Sequence, residues 1–294
     1  MSFYILPYVV SSFHGKNNYE VNNMEIALWA NVICIIIAFG ILILRISIQV
    51  KKGKNGIFDV EAVLDIGKRQ IQTNAYGIKR LNGGMMAVLT AGEGRDYAGK
   101  VAALTTVRTF TKLYDQYDST QSPDSFFEKV FKLANTNVLN IPDMGKAYAG
   151  CIVLNGNTLK YAIVGHMNIY ILRGKELILL SKGQIMEELI KEKVSKGLLS
   201  KEAALRISDI NRAYNFVGRD DYMPPLVSRN DIRLKKKDML VMLTESVQNS
   251  ISVREMEEVL VKKNSCKEKA REIIEVIKGK NKETANLGLI IIGM

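Results

Sequence analysis

Cysteine is scarce in this chain: Cys34, Cys151 and Cys266 are far apart and odd in number. With no C-x-x-C pair they exclude a disulfide framework and suit a reducing compartment. Histidine is scarcer. Only His14 and His166 occur, which argues against a histidine-based metal centre or nucleophile. There are 5 prolines, no internal repeats and no low-complexity tract, so no interdomain linker stands out. Acidic residues are outnumbered, 30 Asp+Glu against 41 Lys+Arg, and the net charge is +11. A basic balance suits nucleic acid, a lipid surface or an acidic partner. No helix-turn-helix pattern, zinc-finger spacing or aromatic-basic platform accompanies it, so nucleic acid is not an expected partner.

What the chain does have, near its start, is a long apolar run. Residues 26–45 contain no charge until Arg45, with Glu20 and Glu25 before and Lys51, Lys52 and Lys54 after. At about 1.5 Å per residue a helix of this length crosses the ~30 Å core of a bilayer. The expectation is one transmembrane helix over 26–45. By the positive-inside rule its short tail, 1–25, lies outside and the rest in the cytoplasm. A basic juxtamembrane linker, 46–58, would then face anionic headgroups.

The remainder, 59–294, reads as one domain of mixed elements. Met85–Thr90 is strand-like between glycines, and apolar spacing over Ala98–Tyr117 predicts a helix. A second helix opens at Ser122-Pro123-Asp124 and runs to Val138. Four strand-like stretches follow: Ala147–Leu154, Leu159–Val164, Ile169–Leu172 and Leu177–Leu180, with turns at Asn155-Gly156-Asn157 and Arg173-Gly174-Lys175. Ile185–Ile207 is helical and charged, broken near Lys196-Gly197. A strand at Asp238–Leu243, helices at Val253–Lys262 and Cys266–Ile277, and a strand at Leu287–Ile292 close the chain. The order implies an α+β fold of antiparallel sheets covered by helices.

Five local segments carry a resemblance. Gly67-Lys68-Arg69-Gln70-Ile71-Gln72-Thr73-Asn74 is similar to G-x-x-R-x-x-N-E-D, one residue short before the arginine. Leu89-Thr90-Ala91-Gly92-Glu93-Gly94-Arg95-Asp96-Tyr97-Ala98-Gly99 resembles V-A-D-G-M-G-G-H-x-A-G. Gly165-His166-Met167-Asn168-Ile169-Tyr170 looks like G-D-S-R-A-Y. Leu240 to Val247 looks like L-L-L-C-S-D-G-L, and Ala285 to Ile290 looks like D-N-I-T-V-I. In this order they resemble the metal-dependent type 2C (PPM) Ser/Thr protein phosphatases over nearly all of 59–294. The resemblance implies a four-layer α-β-β-α sandwich, here preceded by the transmembrane helix.

It also implies where the chemistry would lie. The family is held to bind two Mg²⁺ or Mn²⁺ ions through aspartates, the pair activating a bridging water. The matching positions here are Asn74, Ala91, Glu245 and Ala285, with Gly92 offering a backbone carbonyl. Each lost carboxylate forfeits about 4 kcal/mol of attraction per unit charge at 4 Å with an effective dielectric near 20. The expectation is a pseudophosphatase with no catalytic residues, metal or cofactor. Arg69, Arg95 and His166 remain as candidates for holding a phosphate group. Its partner would be a cytoplasmic protein or a subunit of a membrane complex.

Other outcomes stay open. A divergent Mn²⁺ phosphatase would use Glu245, Asn74 and an unassigned carboxylate, with Glu93, Asp96, Glu283 or the pair Asp220-Asp221 as candidates. Alternatively, the span itself would be the working part, with Ala30, Cys34 and Ala38 on one helix face.

Overall fold

The structure is a computed structural model, and it describes residue 29 and residues 32–41, 58–81, 83–95, 97–118, 122–141, 145–280 and 285–294. It divides into two compact units, Met1–Gly56 and Ile57–Met294. In the first, residues 32–41 are helical. Among the described residues no helix is long and apolar enough to cross a membrane. This corrects the expected membrane localisation. Residues 32–41 rise about 15 Å at helical pitch, about half a bilayer core. Apart from residue 29, the rest of the span expected at 26–45, the tail at 1–25 and the linker up to residue 57 lie outside the described residues. Phe58, placed in that linker by the sequence, is a buried core residue of the second unit.

Elements are numbered within the second unit. The first antiparallel sheet has the order β1-β11-β10-β6-β7, from Asp59–Asp65, Leu287–Gly293, Met239–Thr244, Met167–Arg173 and Glu176–Ser181. The second has the order β2-β3-β4-β5-β8, from Asn74–Leu81, Gly84–Glu93, Lys146–Asn155, Thr158–Val164 and Leu226–Val227, with β9 (Ile232–Arg233) also on β5. The helices are α1 (Ala98–Tyr114), α2 (Pro123–Leu139), α3 (Met186–Ser195), α4 (Lys201–Ala204), α5 (Glu245–Ser250), α6 (Val253–Leu260) and α7 (Cys266–Gly279).

The period of the strands decides the layering. On β3, Met85, Ala87 and Leu89 face inward to a core shared by the two sheets, while Met86 and Val88 face α1 and α2. On β11, Ile290 and Ile292 join the inner core, while Leu287, Leu289 and Ile291 face α6 and α7 on the outer side of its own sheet. Both faces of the central strands are therefore buried, which is why they read as continuous apolar runs. The α+β fold class stands: a sandwich of two antiparallel sheets with helices on each outer face.

Local differences have local causes. The helical stretch expected over Ile185–Ile207 is broken at Gly197 as expected, where φ is +68, and its two parts, α3 and α4, are shorter than the stretch. β1 and β2 have no clean alternation and were not singled out in the sequence; each forms by pairing with a strongly apolar partner, β11 and β3. The short helix α5 follows β10 directly, where the sequence showed no periodic pattern to announce it.

Candidate functional site

The five quoted segments converge at one end of the sandwich, around a cleft of about 650 Å³. Asn74 opens β2 and sits opposite Ala91 in the β2–β3 register. The chain leaves β3 at Glu93 and enters α1 at Ala98. Gly92 and Gly99 let the strand end touch the helix start: a Cβ on Gly92 would fall 1.9 Å from the Gly99 carbonyl oxygen. The Gly92 amide donates to the Thr73 carbonyl at 3.0 Å. The glycines of this segment are therefore required by backbone approach alone. Gly165, at φ +81 between β5 and β6, is held by the same logic, since a Cβ there would meet the Tyr148 ring at 2.2 Å.

An amide network lies among the positions that the resemblance assigns to metal ligands. Asn286 is 6% exposed. Its side-chain oxygen accepts from the Thr73 amide at 2.9 Å and the Thr73 hydroxyl at 2.8 Å, and its Nδ2 donates to the Ile66 carbonyl at 3.0 Å. Its backbone carbonyl accepts from Asn74 Nδ2 at 3.0 Å. The Asn74 amide in turn donates to Gln72 Oε1 at 2.9 Å. Asn74 thus donates through Nδ2, and its Oδ1 is a neutral oxygen where a carboxylate would carry charge.

Glu245, the first residue of α5, lines the cleft beside His166. His166 is 7% exposed, and its Nδ1 lies 3.3 Å from a Glu245 carboxylate oxygen. At 3.3 Å this is a long polar contact, and no other group partners Nδ1 among the described residues. The contact is electrostatic. His166 holds the Glu245 carboxyl below its usual range, against an opposing push from burial. Asn249 Nδ2 donates to the same carboxylate at 3.4 Å.

The other candidate carboxylates point to other work. Glu93 takes Lys146 Nζ at 2.7 Å and accepts from the Tyr148 hydroxyl at 3.1 Å. Burial, and then the Glu93 charge, push the Tyr148 phenol well above its usual range. Asp221 is paired with Arg219, and both Asp220 and Asp221 line a different groove, of about 930 Å³. Asp96 and Glu283 lie outside the described residues. Among the described residues no group of three or more His, Cys, Asp or Glu side chains could hold a metal ion. Ala91 and Ala285 offer no side-chain oxygen, and Glu245 supplies one carboxylate. This donor set does not fit a pair of divalent cations, which need several anionic oxygens.

Of the three candidates for a phosphate group, Arg69 and His166 line the cleft and Arg95 does not. Arg69 is exposed and has no ion pair among the described residues. Arg95 is exposed on the turn between β3 and α1. Asn286, Thr73 and Tyr148 were not singled out as site residues from the sequence. Asn286 stands beside a motif position, which is a usable signal; nothing in the sequence marks Tyr148, which reaches the cleft only through the β4 register.

No protein-family model and no curated relative matches the chain. Solved structures do. The chain is similar to a serine/threonine phosphatase of S. agalactiae at 19% identity and a TM-score of 0.69, covering 80% of this chain and 98% of that one. It is similar to the serine/threonine phosphatase Stp1 from Staphylococcus aureus at 16% identity and a TM-score of 0.68, covering 81% and 95%. A third neighbour is PppA of Pseudomonas aeruginosa, described as a key regulatory component of its T6SS, at 13% identity and a TM-score of 0.64, covering 81% and 98%. The second unit of this chain has the fold of the bacterial type 2C Ser/Thr phosphatases.

Proposed function

We propose that the protein is a pseudophosphatase: a phosphatase-shaped module that binds and regulates a protein partner without metal-dependent hydrolysis. One observation carries this reading. Where the fold's catalysts need carboxylates, this chain has Asn74 donating to Asn286, and Ala91 and Ala285 with no donor atom. A satisfied amide network holds the same strand ends together by hydrogen bonds alone. A regulatory role is also what one of the fold's neighbours is described as having.

A second reading draws on Glu245, which stays ionised near neutral pH beside His166 Nδ1. It would make the protein a divergent Mn²⁺-dependent phosphatase. Hydrolysis of p-nitrophenyl phosphate by the full chain, with and without Mn²⁺, separates the two. The pseudophosphatase reading predicts no Mn²⁺-dependent rate. A rate that requires Mn²⁺ and disappears in Glu245→Ala would overturn it.

A further inference from the structure

The outer face of the α1–α2 layer carries charge that the sandwich does not use. α1 contains Lys100, Arg108 and Lys112 and no acidic residue, and α2 adds Lys129 and Lys132. Among the described residues none of these five has an ion pair; Lys100 lies over the Tyr97 ring at 6.0 Å. Nearby acids are engaged elsewhere. Asp115 takes Lys79 at 2.7 Å and Asp124 takes Lys160 at 3.1 Å. Glu128 sits beside Tyr222, whose phenol is raised by burial first and by the Glu128 charge second.

Between the helices runs a groove of about 570 Å³, lined by Thr105, Arg108, Lys112, Leu113, Leu133 and Asn137 among others. Its polar floor is already satisfied: Asn137 Nδ2 donates to Thr109 Oγ1 at 2.9 Å, and that hydroxyl donates to the Thr105 carbonyl at 2.9 Å. What remains open is apolar and cationic. Leu133 is 41% exposed and Val101 38%. Val101, Thr105, Arg108 and Lys112 follow one helical stripe, and Lys129, Leu133 and Asn137 another. Phe110 packs edge-on against Phe131 with centroids 4.9 Å apart, and Lys129 stands one turn from Leu133 on α2. Like charges gathered without counter-charges repel one another until an anionic surface arrives.

We infer that this groove docks an acidic amphipathic helix of a partner protein. An apolar stripe on such a helix would cover Leu113 and Leu133, and its flanking carboxylates would meet Arg108, Lys112 and Lys129. A basic occupant would bury like charge against like. A flat anionic bilayer would reach the rim cations and leave Leu113 and Leu133 uncovered. The inference holds whether or not the cleft at the sheet ends binds metal.

The test uses the full chain and a fluorescent helical peptide of about 18 residues, five turns, with Leu on one stripe and Glu on its flanks. Its Lys-for-Glu counterpart and phosphatidylglycerol vesicles run beside it. The Glu peptide should bind saturably, more weakly as salt rises. The double variant Arg108→Glu/Lys112→Glu should weaken it by about tenfold or more and should gain affinity for the Lys peptide. Leu133→Asp should weaken the Glu peptide as well. All three positions are exposed and unpaired, so thermal unfolding of the variants should match the parent. Failure of the Glu peptide to saturate would overturn the inference. So would equal binding to parent and double variant, or vesicle binding that the double variant loses while the peptide does not bind.

Discussion

Asn286 shows how a single side chain can tie three segments of a cleft together. It joins the start of β2 to the start of β11 through Thr73, Asn74 and Ile66. Replacing Asn286 by Ala leaves the half-buried Thr73 amide and hydroxyl short of a partner, while the Ile66 carbonyl keeps the Arg69 amide at 3.2 Å. The expected cost is about 1–3 kcal/mol of stability, read as a lower midpoint in urea denaturation with an unchanged slope. Gly92 carries the complementary lesson. Its conservation of type relative to the motif needs no metal, because contact with Gly99 already forbids a side chain.

At the scale of elements, the helix ends are written plainly in the sequence and the site's pairings are not. α6 and α7 each open with a Ser-x-x-Glu box, Ser252 with Glu255 and Ser265 with Glu268. Glu255 also receives Lys280 at 2.7 Å, and the Lys280 bond, followed by those from Ser252, lowers its carboxyl from 4.5 to about 2. A depressed carboxylate stabilises the fold fully above its ordinary value and loses that contribution as pH falls through its folded value. The parent should therefore exceed Glu255→Gln in melting temperature near neutral pH, and the gap should close as pH falls from 4.5 toward 2. A gap that persists at low pH would show that the stabilisation does not come from ionisation.

β3, β10 and β11 were legible because they are buried on both faces and flanked by turn residues. β2 was not, because Tyr76, Lys79 and Arg80 interrupt its apolar pattern, and its pairing with β3 holds it in place. In the site, Asn74, Ala91, Glu245 and Ala285 were placed together by motif order, and the structure gathers them in one cleft. The hydrogen bonds of Asn286 and the approach of Glu93 to Lys146 and Tyr148 span distant parts of the chain. No local spacing announces them.

As a whole, the molecule keeps the phosphatase sandwich at low sequence identity because a two-sheet core asks mainly for apolar alternation. Met85, Leu89, Ile152, Ile163, Met242 and Ile290 satisfy that demand without reference to the cleft above them. The frame therefore does not depend on which side chains line the cleft, which under the proposed reading is poor in carboxylates. The net charge of +11 fits that reading. On the proposed reading, cations at the cleft and along the α1–α2 face would favour anionic partners. The central claim is that this cleft no longer holds divalent cations, and isothermal titration of the full chain with Mn²⁺ tests it most directly. The account predicts no saturable heat from the parent and saturable heat from the restored triple variant Asn74→Asp/Ala91→Asp/Ala285→Asp. Saturable Mn²⁺ binding by the parent that Glu245→Ala abolishes would contradict it.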